Sequence, residues 1–66
     1  MKNRLKVARA EADLTQEELA KLIGVSRQSI NAIESGRYVP STVLALKMAQ
    51  VFEKSVEEIF FLEDND

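Results

Sequence analysis

Apolar residues recur at three- and four-residue intervals along nearly the whole chain, the pattern of helices that each bury one face. Leu5, Ala8 and Ala12 share a stripe, and with Asn3 as a candidate cap they predict a first helix over residues 3–12. Asp13-Leu14 makes a short connection, with Leu14 expected in the core. Thr15 and Glu18 stand three apart and form a capping box, each side chain accepting from the other residue's backbone N–H at a helix start. Leu19, Leu22 and Ile23 follow at helical spacing with Ala20 beside them, and Gly24 closes this second helix, where a left-handed residue is least strained without a Cβ. Val25 fills one more apolar slot. Ser26 caps a third helix in which Ile30 and Ile33 face inward, Arg27, Gln28, Ser29 and Asn31 face away, and Gly36 ends the run.

Arg37-Tyr38-Val39-Pro40 reads as a loop, and Ser41 caps a fourth helix over Thr42–Phe52 that is apolar almost all round. Ala45, Met48, Ala49 and Phe52 share one face, assigned to the core; Leu44 and Val51 lie on its flank, Val43 and Leu46 elsewhere. A left-handed turn at Glu53 would cost about 1 kcal/mol, the alternative being a helix that runs on slightly. Ser55 and Glu58 form a second capping box, starting a fifth helix at Val56 that ends in Ile59-Phe60-Phe61-Leu62. The last four residues are polar and expected to be frayed. The expectation is an all-α, five-helix domain over residues 1–62 with a short acidic tail, 63–66, and no internal repeat, linker or second domain.

Composition narrows the chemistry. A chain of 66 residues makes one domain with a thin core, burying only about 60% of its unfolded surface. It has no Cys, which excludes disulfides and thiolate metal sites, and no His, which removes the usual general base and the commonest metal ligand. No apolar run approaches the ~20 residues of a membrane span and no secretory pattern opens the chain, so a cytoplasmic location is expected. The formal charge of −2 argues at first against a nucleic-acid partner. Its distribution reverses that. Residues 1–52 hold eight basic side chains (Lys2, Arg4, Lys6, Arg9, Lys21, Arg27, Arg37, Lys47) against five acidic ones (Glu11, Asp13, Glu17, Glu18, Glu34), a balance of +3. Residues 53–66 hold six acids and one Lys, a balance of −5.

Two short helices joined by a tight glycine-containing turn are the sequence form of a helix-turn-helix, here the second and third helices. From Thr15 to Gly36 the residues T-Q-E-E-L-A-x-x-I-G-V-S-R-Q-x-I-x-x-I-E-x-G resemble the Xre family, the lambda-repressor and Cro class of DNA-binding domains, and the likeness runs in register from about Leu5 to Ile59. It implies a lambda-repressor-like fold and a small transcriptional regulator that binds double-stranded DNA, repression being the family's default. It also implies an ion pair between Arg9 and Glu34, and a phosphate contact at Gln16. Glu53-Lys54 departs from the family, which often has Gly at the first of these positions.

In a helix-turn-helix the second helix enters the major groove with its N-terminal residues toward the base edges. Arg27, Gln28 and Asn31 occupy those positions and carry matching chemistry: Arg donates bidentately to guanine, and Gln or Asn pairs with adenine. On an arbitrary helix three such residues would be a solvent face; here cap, turn glycine and apolar register together turn that face outward at the expected place. Thr15, Gln16, Ser26, Ser29, Arg37 and Tyr38 are the candidate phosphate contacts, with capping or loop closure as the structural alternative for Thr15, Ser26 and Tyr38. For Arg4 and Lys6 the solvated face is the better reading.

Catalysis finds no support. Adjacent Glu17/Glu18 and Glu57/Glu58 point about 100° apart and do not converge as an acid/base pair, and no cofactor, metal or small-molecule ligand is evident. One of Phe60 and Phe61 can cap the core, since adjacent residues on a helix cannot both face it; the apolar surplus of Phe60, Phe61 and Leu62, with Leu44 and Val51, suits a homodimer interface, which would present two recognition helices about 34 Å apart to a palindromic operator. The rival reading is a protein-interaction module on the same fold, or an antitoxin that binds a protein partner as well as its own operator.

Overall fold

The computed structural model covers residues 1–66. From the N-terminus the chain runs through β1 (Lys2–Asn3), α1 (Leu5–Glu11), α2 (Gln16–Ile23), α3 (Arg27–Glu34), α4 (Thr42–Phe52), α5 (Val56–Ile59) and β2 (Phe60–Phe61). Hydroxyl side chains start four of these helices. Thr15, Ser26, Ser41 and Ser55 each accept a hydrogen bond from the backbone N–H three residues on, and at Thr15 and Ser55 the reciprocal Glu completes the capping box. At both boxes the backbone N–H of the cap residue, chiefly, holds the Glu18 or Glu58 carboxyl below its ordinary 4.5.

The helix ends share a second device. Behind α1, α2, α3 and α4 a residue of positive φ is followed by an N–H that donates five residues back: Leu14 to Arg9, Val25 to Ala20, Arg37 to Ala32 and Lys54 to Ala49, at 3.0–3.1 Å. Glycine supplies the left-handed residue at Gly24 (φ 78°) and Gly36 (φ 80°), whereas Asp13 (φ 58°) and Glu53 (φ 53°) adopt it with a Cβ. A Cβ at either glycine would meet no atom within 4 Å, so the backbone angle alone selects glycine there. Glu53 therefore turns the chain rather than letting α4 run on.

The core comprises twelve side chains, with Leu5, Leu19, Ile30, Ile33, Met48 and Ile59 fully enclosed. Leu14, Ala45 and Ala49, expected in the core, are only partly buried against it, and two other expected inward positions lie outside. Ala12 is exposed at the end of α1, and Leu22 lies 60% exposed on the outer side of α2. Leu22 matches the apolar period of α2, but neighbouring helices cover only the Leu19–Ile23 side.

The ends of the chain depart most from expectation. Residues 2–3 do not join α1; they pair antiparallel with Phe60–Phe61, Lys2 opposite Phe61 and Asn3 opposite Phe60. Arg4 takes the cap position of α1 without a side-chain cap, while Asn3 accepts from the Leu5 N–H and donates from Nδ2 to the Ile33 carbonyl at 2.9 Å. That bond ties the N-terminal strand to the end of α3. On a strand, Phe60 and Phe61 point to opposite faces. Phe60 closes the core at 6% exposure, and Phe61 lies part-buried under the Arg4 guanidinium, 5.3 Å from its ring centre. Phe60, expected among the surplus apolar surface, therefore belongs to the chain's own core, as does Leu44 at 8% exposure, because α4 turns it toward the bundle. Nor is the tail frayed: Asp66 accepts from the Glu63 N–H at 2.7 Å and from the N-terminal ammonium at 3.2 Å.

Candidate nucleic-acid interface

α3 is held from both ends and from below. Ser26 Oγ accepts from the Ser29 N–H at 3.1 Å, Ile30 and Ile33 anchor the inner face, and the backbone N–H groups of Arg37 and Tyr38 close the far end on the Ala32 carbonyl. The outer face is left to Arg27, Gln28 and Asn31, all exposed. Together with Gln16, Ala32 and Arg37 they line a concavity of about 500 Å³. Five of these six side chains are polar or charged and none is acidic. Such a surface offers donors from Arg and both donors and acceptors from the amides, the inventory a base edge or a phosphate requires.

The predicted ion pair is present and forms a larger network. Arg9 Nε donates to Glu34 Oε2 at 2.7 Å, its Nη2 reaches Oε1 at 3.4 Å, and its Nη1 donates to the Leu14 carbonyl at 2.8 Å. The side chains are 16% and 7% exposed, so the pair is largely shielded from solvent. Glu34 Oε1 also accepts from Gln16 Nε2 at 3.1 Å. One carboxylate at the end of α3 thus orients the guanidinium from α1 and the amide at the start of α2. Gln16 keeps one amide hydrogen for a ligand in the groove.

The remaining candidates divide. Thr15 accepts from the Glu18 N–H at 3.0 Å but its own hydroxyl hydrogen stays free beside Gln16. Ser26 and Ser29 hydroxyls lie 3.0 Å apart and engage each other, so a phosphate contact from either has to compete with that bond. Arg37 lines the groove, whereas Tyr38 is half-exposed beyond the residues that line it. Lys6, assigned from the sequence to a solvated face, is exposed, and it borders a recess that Arg9, Gln16, Asn31, Glu34 and Ser35 also line, next to the groove. Its spacing of three from Arg9 was the available signal, since residues three apart share a helix face. Leu44 and Phe60 are enclosed in the core, so of the five side chains expected at a subunit interface only Val51, Phe61 and Leu62 retain surface.

The helix-turn-helix family profile matches residues 5–59. An uncharacterized HTH-type transcriptional regulator of Methanocaldococcus jannaschii is 56% identical over 66 residues, spanning all of both chains. The uncharacterized HTH-type transcriptional regulator YgzD of Bacillus subtilis is 46% identical, again over the whole of both. Among solved structures, the restriction-modification controller protein C.AhdI of Aeromonas hydrophila superposes with a TM-score of 0.78 at 35% identity, covering 86% of each chain.

Proposed function

The chain belongs to this helix-turn-helix family of transcriptional regulators, a DNA-binding domain and not an enzyme, and from that premise we propose that it represses transcription by occupying a palindromic operator as a homodimer. Gln28, Arg27 and Asn31 read base edges, and Thr15, Gln16 and Arg37 hold the phosphates on either side. The observation that carries the reading is the groove itself: six side chains from α2, α3 and the following loop converge without a single carboxylate, in a chain whose net charge is −2. A polyanion meets donors there, while the acids of residues 53–66 belong to other elements. Lys6 extends the basic rim.

Support for a dimer comes from apolar surface left without cover. Leu62 is 82% exposed, and Val43 and Leu46 are more than half exposed on α4. A core of twelve residues gains stability when a second subunit covers such positions. Repression follows from occlusion, which requires nothing beyond tight binding across a promoter.

The test is selection of bound sequences from random duplex DNA, with wild type and Gln28→Ala in parallel. A palindromic consensus is expected, with half-sites about one helical turn apart. The variant is expected to lose preference at one base per half-site, a discrimination of about 1–3 kcal/mol. No enrichment at low salt, where phosphate contacts are retained, would turn the reading to a protein-binding role for α3.

A further inference from the structure

Arg37 is bound to its own chain at the edge of the groove. Its Nε donates to Ser35 Oγ at 3.0 Å, and its Nη2 donates to Asn31 Oδ1 at 3.1 Å. The single hydroxyl hydrogen of Ser35 goes to the Ala32 carbonyl at 3.0 Å, which leaves the Ser35 oxygen free to accept from the guanidinium. The backbone reinforces the arrangement, because the Arg37 N–H also donates to the Ala32 carbonyl at 3.0 Å behind the left-handed Gly36. A planar guanidinium with two edges engaged has little freedom left. Its Nη1 remains available to a phosphate.

The consequence falls on Asn31. A guanidinium only donates, so the amide atom facing it is the oxygen. An Asn that reads adenine bidentately needs that oxygen for the adenine N6 hydrogens and its Nδ2 hydrogens for N7. With one lone pair of Oδ1 engaged by Arg37, the amide group left wholly free for the major groove is Nδ2, a donor. We infer that Arg37 is a specificity-determining positioning residue: it holds Asn31 as a hydrogen-bond donor and steers that contact from adenine to guanine or thymine, bases that present only acceptors there. The inference rests on the reading that α3 contacts base edges.

Selection from random duplex DNA at fixed salt tests it, with wild type, Asn31→Ala, Arg37→Ala and Ser35→Ala compared. Asn31→Ala identifies the base pair concerned as the one whose preference it abolishes. At that pair wild type is expected to favour guanine or thymine over adenine by roughly fivefold or more, the lower end of one side-chain–base discrimination. Arg37→Ala frees the amide and is expected to move the preference to adenine by a similar factor, and Ser35→Ala, which removes one anchor, shifts it the same way to a smaller extent. Both Arg37 and Ser35 are exposed, so these variants keep the fold. Three results would overturn the inference while leaving the base-reading proposal intact: a wild-type preference for adenine at that pair, a consensus unchanged by Asn31→Ala, or an Arg37→Ala variant that weakens all sequences equally with a salt slope shallower by about one. The last would make Arg37 a phosphate contact alone. A wild-type protein that enriches no sequence would remove the base-reading proposal and this inference together.

Discussion

At the scale of single residues, the Glu34 carboxylate connects the most structure with the fewest atoms. It accepts from Arg9 on α1 and Gln16 on α2, and it lies on the helix that carries the candidate base contacts. Removing it leaves the Arg9 guanidinium shielded and without its anion, a change that costs about 3–5 kcal/mol where burial is complete and somewhat less here. Glu34→Ala is accordingly expected to lower unfolding stability by about 3 kcal/mol in urea titration. Glu34→Gln keeps an acceptor for Gln16 and is expected to lose less. Equal losses for the two variants would show that Arg9, not Gln16, carries the energetic weight of the network. The pair Arg9–Glu34 was legible only through family resemblance, since twenty-five positions separate the partners. The bond from Gln16 was not legible at all.

At the scale of elements, starts were easier to read than ends. A helix start is announced by a side chain that performs the capping, and Thr15, Ser26, Ser41 and Ser55 all do so where expected. A helix end needs only a backbone angle, which glycine announces and other residues conceal. Gly24 and Gly36 were read correctly, Glu53 was left between two outcomes, and Asp13 was passed over. The hidden strain is testable. Glu53→Gly relieves a left-handed Cβ, offset in part by the freer unfolded chain, and is expected to stabilise the protein by about 0.5–1 kcal/mol. That corresponds to a rise in Tm of about 2–8 °C in a domain of this size, measurable by circular dichroism. A Tm that falls would mean that the Glu53 side chain contributes more at the surface than its backbone strain takes away.

At the scale of the whole molecule, the chain closes on itself. The two strands join residues 2–3 to residues 60–61, the N-terminal ammonium lies 3.2 Å from Asp66, and Lys54 pairs with Glu11 at 3.6 Å. No helix is long and apolar enough to cross a membrane. Carboxylates used in this way make stability depend on acid. Glu18 and Glu58 lie below their ordinary 4.5 through the backbone hydrogen bonds of Thr15 and Ser55, and Asp66 lies below its ordinary 3.8 through that of Glu63. A lowered folded pKa means that the contribution is complete above the unfolded value and is lost as pH falls through the folded one. Tm is therefore expected to hold between pH 7 and 5 and to drop below about pH 4.5. The double variant Glu18→Gln/Glu58→Gln keeps both capping boxes without a titrating group, and its acid limb is expected to be shallower. An unchanged limb would show that the capping boxes do not carry the acid loss and would leave Asp66 as its source.

The amino-acid sequence by itself determined what depends on neighbours within a turn or two: five helices, the hydroxyl caps of four of them, and an outward face on α3 bearing Arg27, Gln28 and Asn31. Those features arise from side chains acting on nearby backbone and from apolar spacing, both of which the linear chain displays. Tertiary structure decided everything that needed distant partners. Residues 2–3 left the predicted first helix because a strand at residues 60–61 offered them backbone hydrogen bonds, and the register of that strand decided which of the two Phe residues, Phe60, closes the core. Lys6 shares a recess with Gln16 and Asn31, and Arg37 donates to Asn31, because three-dimensional packing brings α1, α2, α3 and the following loop to one surface. Periodicity indicates which way a side chain points on its own helix. What stands opposite it is set by the packing of the others.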